Sequence, residues 1–251
     1  MKKKAYLFIA VLMIAAFCLA GCGATVNYTY DDADKYTAGD REISDSIDKL
    51  NIDYAAGDVD IKAVPGKTVS VKETANRDLE EDQKVHTRVD GSTLYVKFCA
   101  SGEGMSFKDI EKHLVLEVPE NVRLAGLKAD PAAGDLNAEL KRCGKIDIDA
   151  AAGDIKVTAG KVKELDVDAA AGNCEFVFTK TPSDSDIDMA AGDLKIQLPE
   201  KCDLTLKMDS AAVDFSYDLP FKKKGEKYVC GNGVNKMNID CAAGDVKITC
   251  P

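Results

Sequence analysis

The chain lacks tryptophan and has only two histidines among its 251 residues. Without tryptophan it has no large aromatic platform of the kind that stacks on sugar rings. His86 and His113 belong to no triad or zinc signature, and no two cysteines have the Cys-x-x-Cys spacing. The sequence therefore predicts no enzyme and no cofactor, and the two histidines are interpreted as structural.

Long apolar runs are also scarce, and the one present lies at the start. Tyr6–Leu19 is too short for a comfortable membrane span, follows three lysines and ends in Leu19-Ala20-Gly21-Cys22. This ending resembles the lipobox of bacterial lipoproteins. The resemblance implies cleavage before Cys22 and a diacylglycerol on its sulfur, so residues 1–21 are predicted to be a signal peptide. The alternative is an ordinary secretory signal with a chance cysteine.

Acidic residues outnumber basic ones. Removal of the signal would leave 30 basic against 43 acidic residues, a net charge of −13. This charge argues against nucleic acid and anionic lipid headgroups as electrostatic partners. The predicted partners are the membrane, through the lipid on Cys22, and envelope proteins or surface polymers. The predicted location is the extracytoplasmic face of the cell membrane.

One short motif recurs along the rest of the chain. Ala-Ala-Gly-Asp or a close variant begins at residues 55, 132, 151, 170, 190, 211 and 242. From residue 132 the steps are 19, 19, 20, 21 and 31 residues. A period of about 20 residues is the signature of a solenoid.

The clearest repeat shows how one coil is built. Ile146–Asp149 alternates apolar and polar residues, the motif follows, and alternation resumes at Ile155–Val157. A second corner at Thr158–Lys161 returns the chain to the next strand. Since helical periodicity is absent, the predicted fold is an all-β, single-stranded parallel β-solenoid with about 19–21 residues per coil.

Glycine suits these corners because it adopts positive φ without penalty. The seventh copy has Val213 at the glycine position, so its corner must bend differently or carry strain. The predicted structural turn residues are Gly57, Gly134, Gly153, Gly172, Gly192 and Gly244.

The first half of the chain is less regular. Residues 22–41 are predicted to be a polar tether, and residues 42–251 to be the solenoid domain. The 77 residues between the first two motifs leave room for about four atypical coils. The segment Lys222–Gly225 is predicted to be an exposed loop.

The body of the chain resembles the bacterial "putative adhesin" domain family of unknown function. The segments that carry the resemblance are Leu165–Phe178, Ile187–Leu198, Gly91–Phe98 and Gly225–Gly233. Many members have Val-Ser-Gly-Asp where this chain has Ala-Ala-Gly-Asp. The resemblance implies a β-solenoid over about residues 42–251 and a place on the cell surface, and it implies no catalytic residues.

Aspartates flank the corners of successive coils. Asp149 and Asp154 flank one corner, and Asp168, Asp188 and Asp193 occupy equivalent positions. Stacked coils would align them in two columns, where repulsion raises carboxyl pKa values. A hard cation such as Ca²⁺ would relieve this repulsion. The alternative is that each aspartate only solvates or caps its own turn.

Seven cysteines remain after Cys18 and Cys22 are set aside, and their pairing is open. Cys174 and Cys241 occupy repeat positions held elsewhere by Ile155 and Ala150, which predicts that both are small buried apolar residues. The predicted function is a lipid-anchored, adhesin-like structural or interaction module. The alternative is an envelope lipoprotein that binds a cation or ligand through its aspartate columns.

Overall fold

The computed structural model describes residues 25–106 and 109–251. The predicted signal peptide and Cys22 lie outside the described residues. Within them, no helix has the length and apolar character needed to cross a membrane.

The described part is built almost entirely from β-strands, with one 3₁₀ helix at Ala33–Lys35. The strands are β1 (Thr25–Tyr28), β2 (Thr37–Ala38), β3 (Arg41–Ile43), β4 (Lys49–Tyr54), β5 (Asp58–Val64), β6 (Val69–Ala75), β7 (His86–Asp90), β8 (Thr93–Lys97), β9 (Gly102–Ser106), β10 (Lys112–Pro119), β11 (Leu124–Pro131), β12 (Leu136–Ala152), β13 (Ile155–Ala171), β14 (Cys174–Phe178), β15 (Asp184–Ala191), β16 (Leu194–Gln197), β17 (Leu204–Tyr217), β18 (Lys222–Lys224), β19 (Lys227–Cys230) and β20 (Asn235–Thr249).

Each coil contributes two strand segments, one on either side of the Ala-Ala-Gly-Asp turn. We call the stacked segments before the turn the first ladder and those after it the second ladder. Ile146 pairs with Leu165 in the first ladder, and Leu136 pairs with Ile155 in the second, all in parallel register. Equivalent residues of successive coils therefore form files along the solenoid axis. The predicted all-β parallel solenoid is confirmed.

The stacking order differs from the chain order at the far end. Central coils stack at offsets of 19, 19 and 20 residues, as Leu136, Ile155, Cys174 and Leu194 show. The next residue in this file is Val246, because β20 lies between β16 and β17. Along the chain, β17 of the outermost coil precedes β20, but in the stack β20 lies between β16 and β17. The 21-residue step of the sequence is therefore not a stacking offset, whereas the 31-residue step separates β17 from its neighbour β20.

The core is the narrow space between the two ladders. Alternate residues point inward. In β14, for example, the first, third and fifth residues are buried and the second and fourth are half-buried. The inner file of the first ladder includes Ile52, Ile148 and Ile187, each no more than 1% exposed. Because apolar files stack along the whole axis, burial stabilises each coil through its two neighbours.

Antiparallel strands cover both ends of the parallel ladders. At one end β7 pairs with β8 and β6 pairs with β10; at the other, the β18–β19 hairpin pairs with β17. The 77-residue excursion thus adds one parallel strand to each ladder, β8 and β10, and then an antiparallel cap. The prediction of about four coils there is wrong. Such caps protect strand edges that would otherwise recruit another chain.

The segment predicted to be a tether is in large part docked on the body. The Tyr28 hydroxyl donates to the Asp53 carbonyl at 3.0 Å, and that of Tyr30 donates to the Cys99 carbonyl at 3.0 Å. Tyr28 also packs edge-on against Phe98. The polar composition of the segment did not indicate this docking, because the aromatic residues that contact the body are scattered among polar ones. The Lys222–Lys224 segment is exposed as predicted, but it is strand β18 and not a loop.

All six predicted turn glycines have positive φ, between +99° and +132°. They form one file in which each glycine backs onto the carbonyl group of the one before it. A Cβ built on Gly153 would lie 2.1 Å from the carbonyl oxygen of Gly134, and one on Gly172 would lie 2.0 Å from that of Gly153. Glycine is therefore required twice over, by the φ angle and by the contact between coils.

Val213, which replaces the glycine in the seventh copy of the motif, has a different backbone conformation from the six glycines. It pairs with Gly244 in the outermost coil, and its φ is not positive. Strand β17 runs through this corner without the glycine turn, so the backbone bends differently, which is one of the two outcomes the sequence predicted.

The glycine file yields a stability prediction. Gly153→Val should lower the free energy of unfolding by about 3 kcal/mol or more, because a β-branched side chain meets both an unfavourable φ and a backbone oxygen. Chemical denaturation measures the change. Gly66→Val is the matched control, since a Cβ at Gly66 would meet nothing within 4 Å. Equal denaturation midpoints for the two variants would contradict the requirement for glycine.

Candidate functional site: the aspartate files at the corners

The aspartates that close the motifs form a hydrogen-bonded file along the axis. The Asp135 amide donates to Asp58 Oδ1 at 3.0 Å, and the Asp154 amide donates to Asp135 Oδ1 at 2.8 Å. The file continues through Asn173 and Asp193 to Asp245 at 2.8–3.1 Å. We call it the turn file. Its side chains bind the backbone of the neighbouring coil, so capping joins coils and does not only close each turn.

The aspartates before the motifs form a second file on the outer face of the first ladder. Parallel register places Asp149 beside Asp168, and Asp168 beside Asp188. We call this the strand file. Its members in stacking order are Asp53, Asp130, Asp149, Asp168, Asp188, Asp240 and Asp209. Adjacent strands lie about 4.8 Å apart, so each carboxylate has carboxylate neighbours.

Repulsion between neighbours in the strand file acts on Asp168. Burial, followed by the charges of Asp188 and Asp149, raises the pKa of Asp168 to about 6. Burial also raises the pKa of Asp130, although Lys128 opposes the change. Asp168 is therefore partly protonated near neutral pH, which an isolated surface carboxyl is not.

Lysines neutralise one end of this face. Lys97 Nζ lies 2.8 Å from Asp53 Oδ2, and Lys128 pairs with Asp130. Among residues 25–106 and 109–251, no ion pair involves Asp149 or Asp168. The charges of Asp149 and Asp168 are therefore not balanced by a paired cation.

The five aspartates proposed from the sequence fall into these two files. Asp149, Asp168 and Asp188 share the strand file, whereas Asp154 and Asp193 belong to the turn file. In the described ranges, no group of three or more His, Cys, Asp or Glu residues has an arrangement that could hold a metal ion. Binding of Ca²⁺ stays a prediction, and the strand file is where it would occur.

A buried ion pair lies beside Gly57, at one end of the glycine file. The carbonyl oxygen of Lys112 backs onto Gly57, and its ammonium group donates to Glu73 Oε1 at 2.8 Å and to the Gln83 carbonyl at 2.6 Å. It also lies 4.1 Å from the centre of the Phe98 ring. The Lys112 and Glu73 side chains are only 1% and 3% exposed.

Glu73 is satisfied on both oxygens. The Tyr54 hydroxyl donates to Oε1 at 2.7 Å, and the Val85 amide donates to Oε2 at 2.8 Å. Burial lowers the pKa of Lys112, and Glu73 opposes that change. Sequence reasoning missed this pair because Glu111-Lys112-His113 looks like a solvated strand end and Glu73 lies 39 residues earlier in the chain.

Six of the seven described cysteines are buried. Cys174 and Cys241 are 2% and 3% exposed, as predicted. Burial, followed by a hydrogen bond with Cys230, raises the pKa of Cys202 to about 12. Such protonated thiols are poor nucleophiles. His86 Nδ1 lies 2.9 Å from the Lys84 carbonyl oxygen.

These features define a capped parallel β-solenoid whose corners are joined by glycine and aspartate files. The chain belongs to the Toastrack DUF4097 family, whose sequence model matches residues 116–249, more than half of the chain. The matched region begins within β10 and contains the central and outermost coils. No curated protein matches the sequence.

The chain is similar to several solved structures, one of which supports the fold. A "putative cell adhesion protein" from Clostridium sporogenes is 14% identical, with a TM-score of 0.54, over 86% of this chain and 100% of its own. A "putative adhesin" from Bacteroides fragilis is 13% identical over 85% and 97% of the two chains, with a TM-score of 0.36. One from Parabacteroides merdae is 11% identical over 90% and 99%, with a TM-score of 0.33. Only the first is similar enough to support the fold.

The strand file predicts a pH dependence. The folded-state pKa of Asp168 is about 6, above the unfolded value of about 3.9. The folded state therefore binds more protons, and this contribution to stability grows as pH falls through 6 and is complete below 4. Asp168→Asn should raise the denaturation midpoint at pH 7.5 and leave it unchanged at pH 4.

Asp154→Asn is the matched control, because the equivalent position already holds an amide in Asn173 and the turn file would persist. The control should show no difference between the two pH values relative to wild type. Millimolar Ca²⁺ should stabilise wild type more than Asp168→Asn, beyond salt of equal ionic strength, only if the strand file binds the cation. A wild-type midpoint that falls more than that of Asp168→Asn on acidification would contradict the repulsion.

The buried pair predicts a large mutational effect. Lys112→Met should cost roughly 3–5 kcal/mol, because it leaves Glu73 buried without its counter-charge. Lys72→Met is the control: Lys72 pairs with Glu117 at 3.0 Å but is 54% exposed, so its loss should change the denaturation midpoint little, because exposed ion pairs contribute little to stability. Lys112→Met with Glu73→Gln should recover part of the loss. Urea denaturation of the three variants tests this, and equal losses for both single variants would refute it.

Proposed function

We propose that the protein is a lipid-anchored module of the bacterial cell surface that holds other molecules against its solenoid body. The anchor is the lipid on Cys22, in the Leu-Ala-Gly-Cys sequence after the apolar run. Because two or more acyl chains give firm membrane attachment, such an anchor would keep the body at the extracytoplasmic face.

The observation that carries the proposal is the role of the repeated Ala-Ala-Gly-Asp motif in the stacking of the coils. Its glycines pack coil against coil, and its aspartates accept backbone hydrogen bonds from the next coil. The repeated residues therefore build a long, regular lateral surface. Stacked repeats of this kind typically bind partners along their faces.

The name of the Clostridium structure, a "putative cell adhesion protein", agrees with this proposal but establishes only the fold at 14% identity. The cation-binding alternative is supported by the raised pKa of Asp168 within a file of carboxylates. It has no cluster of ligands among the described residues. We therefore place the interaction module first.

Anchoring is tested by Cys22→Ala. The variant should lose its lipid, leave the detergent phase on fractionation and enter the aqueous phase or accumulate uncleaved. Cys18→Ala is the matched control, since Cys18 lies within the predicted signal and should be removed with it. Identical partitioning of wild type and Cys22→Ala would overturn the lipid anchor.

The same released protein tests the interaction role. We expect it to sediment with isolated cell envelope in a saturable manner, without release of soluble glycan fragments. Release of fragments would favour an enzyme, and absence of saturable sedimentation would count against an adhesin-like module.

A further inference from the structure

A basic groove runs along the second corner of the coils, on a chain whose net charge is −10. Its volume is about 430 Å³. None of its described lining residues is a carboxylate. The charged side chains that line it are those of Arg123, Lys141, Arg142, Lys161, Lys163 and Lys180.

These cations are not used by the fold. All six residues are exposed. Among the described residues, Lys163 is the only one of the six in an ion pair, with Glu164 at 3.5 Å. The other five are in no ion pair within residues 25–106 and 109–251, and the carboxylates of Glu120 and Glu139 line an adjoining pocket with Lys141 and Arg142. Such an arrangement costs repulsion, and a bound anion would relieve it.

The groove presents its charges as a file. Arg142 pairs with Lys161 in parallel register, and Arg123 precedes Leu124, the partner of Cys143. Lys180 follows Phe178, the partner of Ala159, at the equivalent distance. Four successive coils thus supply one cation each over a length of about 14 Å.

The backbone at this corner is packed too closely for the file to spread. A Cβ on Gly144 would lie 2.4 Å from the Ala125 carbonyl oxygen, and one on Gly160 would lie 2.3 Å from that of Lys141. The Thr179 hydroxyl donates to the Gly160 carbonyl at 3.2 Å. The floor of the groove is therefore rigid, and the spacing of its cations is set by the coils.

We propose that this groove binds a linear phosphate-bearing polymer, laid along the solenoid axis. A row of cations in a concave channel complements a row of anions, whereas a compact anion would reach only part of it and a flat membrane would not enter it. Two of the five arginines of the chain lie here, and guanidinium groups bind phosphate oxygens in pairs. This inference rests on the proposed function and deepens it by naming a class of partner. The inference can be wrong while the proposed function is right.

The test measures binding of the purified full-length protein to linear inorganic polyphosphate. Wild type should bind, and Arg142→Gln with Lys161→Gln and Lys180→Gln should weaken binding about tenfold or more at low salt. The dependence of log affinity on log salt should flatten by about two units. Lys222→Gln with Lys223→Gln and Lys224→Gln, in the exposed strand β18, makes the same change in net charge. This control should bind as wild type does.

The proposal would be overturned by no binding of wild type, by equal losses in the two triple variants, or by tighter binding to phosphatidylglycerol vesicles than to polyphosphate. The last would assign the groove to a membrane surface. Monomeric phosphate at the same phosphate concentration should not compete, and full competition by it would show that only single anions bind. Envelope sedimentation of wild type separates the two hypotheses, because sedimentation without polyphosphate binding would reject the groove proposal and leave the proposed function intact.

Discussion

The structure depends on one close contact, the approach of each corner glycine to the carbonyl group of the glycine in the coil before it. At Gly153 and Gly172 there is no room for a Cβ, and the positive φ excludes other residues independently. Because that contact fixes the distance between coils, it also fixes the register of both ladders. The apolar files of the core and the charged files of the surface follow from it.

That register turns single residues into rows. An aspartate on one strand would be an ordinary solvated side chain. Seven of them at strand spacing form a file in which Asp168 has a pKa of about 6. The same stacking aligns cations along the second corner. The molecule therefore separates its charge into an acidic face and a basic groove, which the net charge conceals.

The ends of the solenoid are stabilised by different interactions from those in its middle. Parallel ladders leave unpaired strand edges, and here antiparallel strands cover them. At one end the glycine file stops at Lys112, whose ammonium group is satisfied by Glu73, by carbonyl groups and by an aromatic ring. At the other it stops at Val213, where no further coil has to be accommodated and the backbone leaves the glycine conformation.

The sequence by itself determined the coil, its period and its corner residues, because these depend on local alternation and on the conformations open to glycine. It also indicated both aspartate files, since any residue that recurs at the coil period must align. The basic file carried the same signal: Arg123, Arg142, Lys161 and Lys180 are spaced at 19 residues. Net charge, which averages over the whole surface, pointed away from anionic partners. Only the tertiary structure decided the insertion of β20 beneath β17, the two caps and the Lys112–Glu73 pair. These depend on contacts between segments far apart in the chain, and pairing of distant strands has no periodic trace in the sequence.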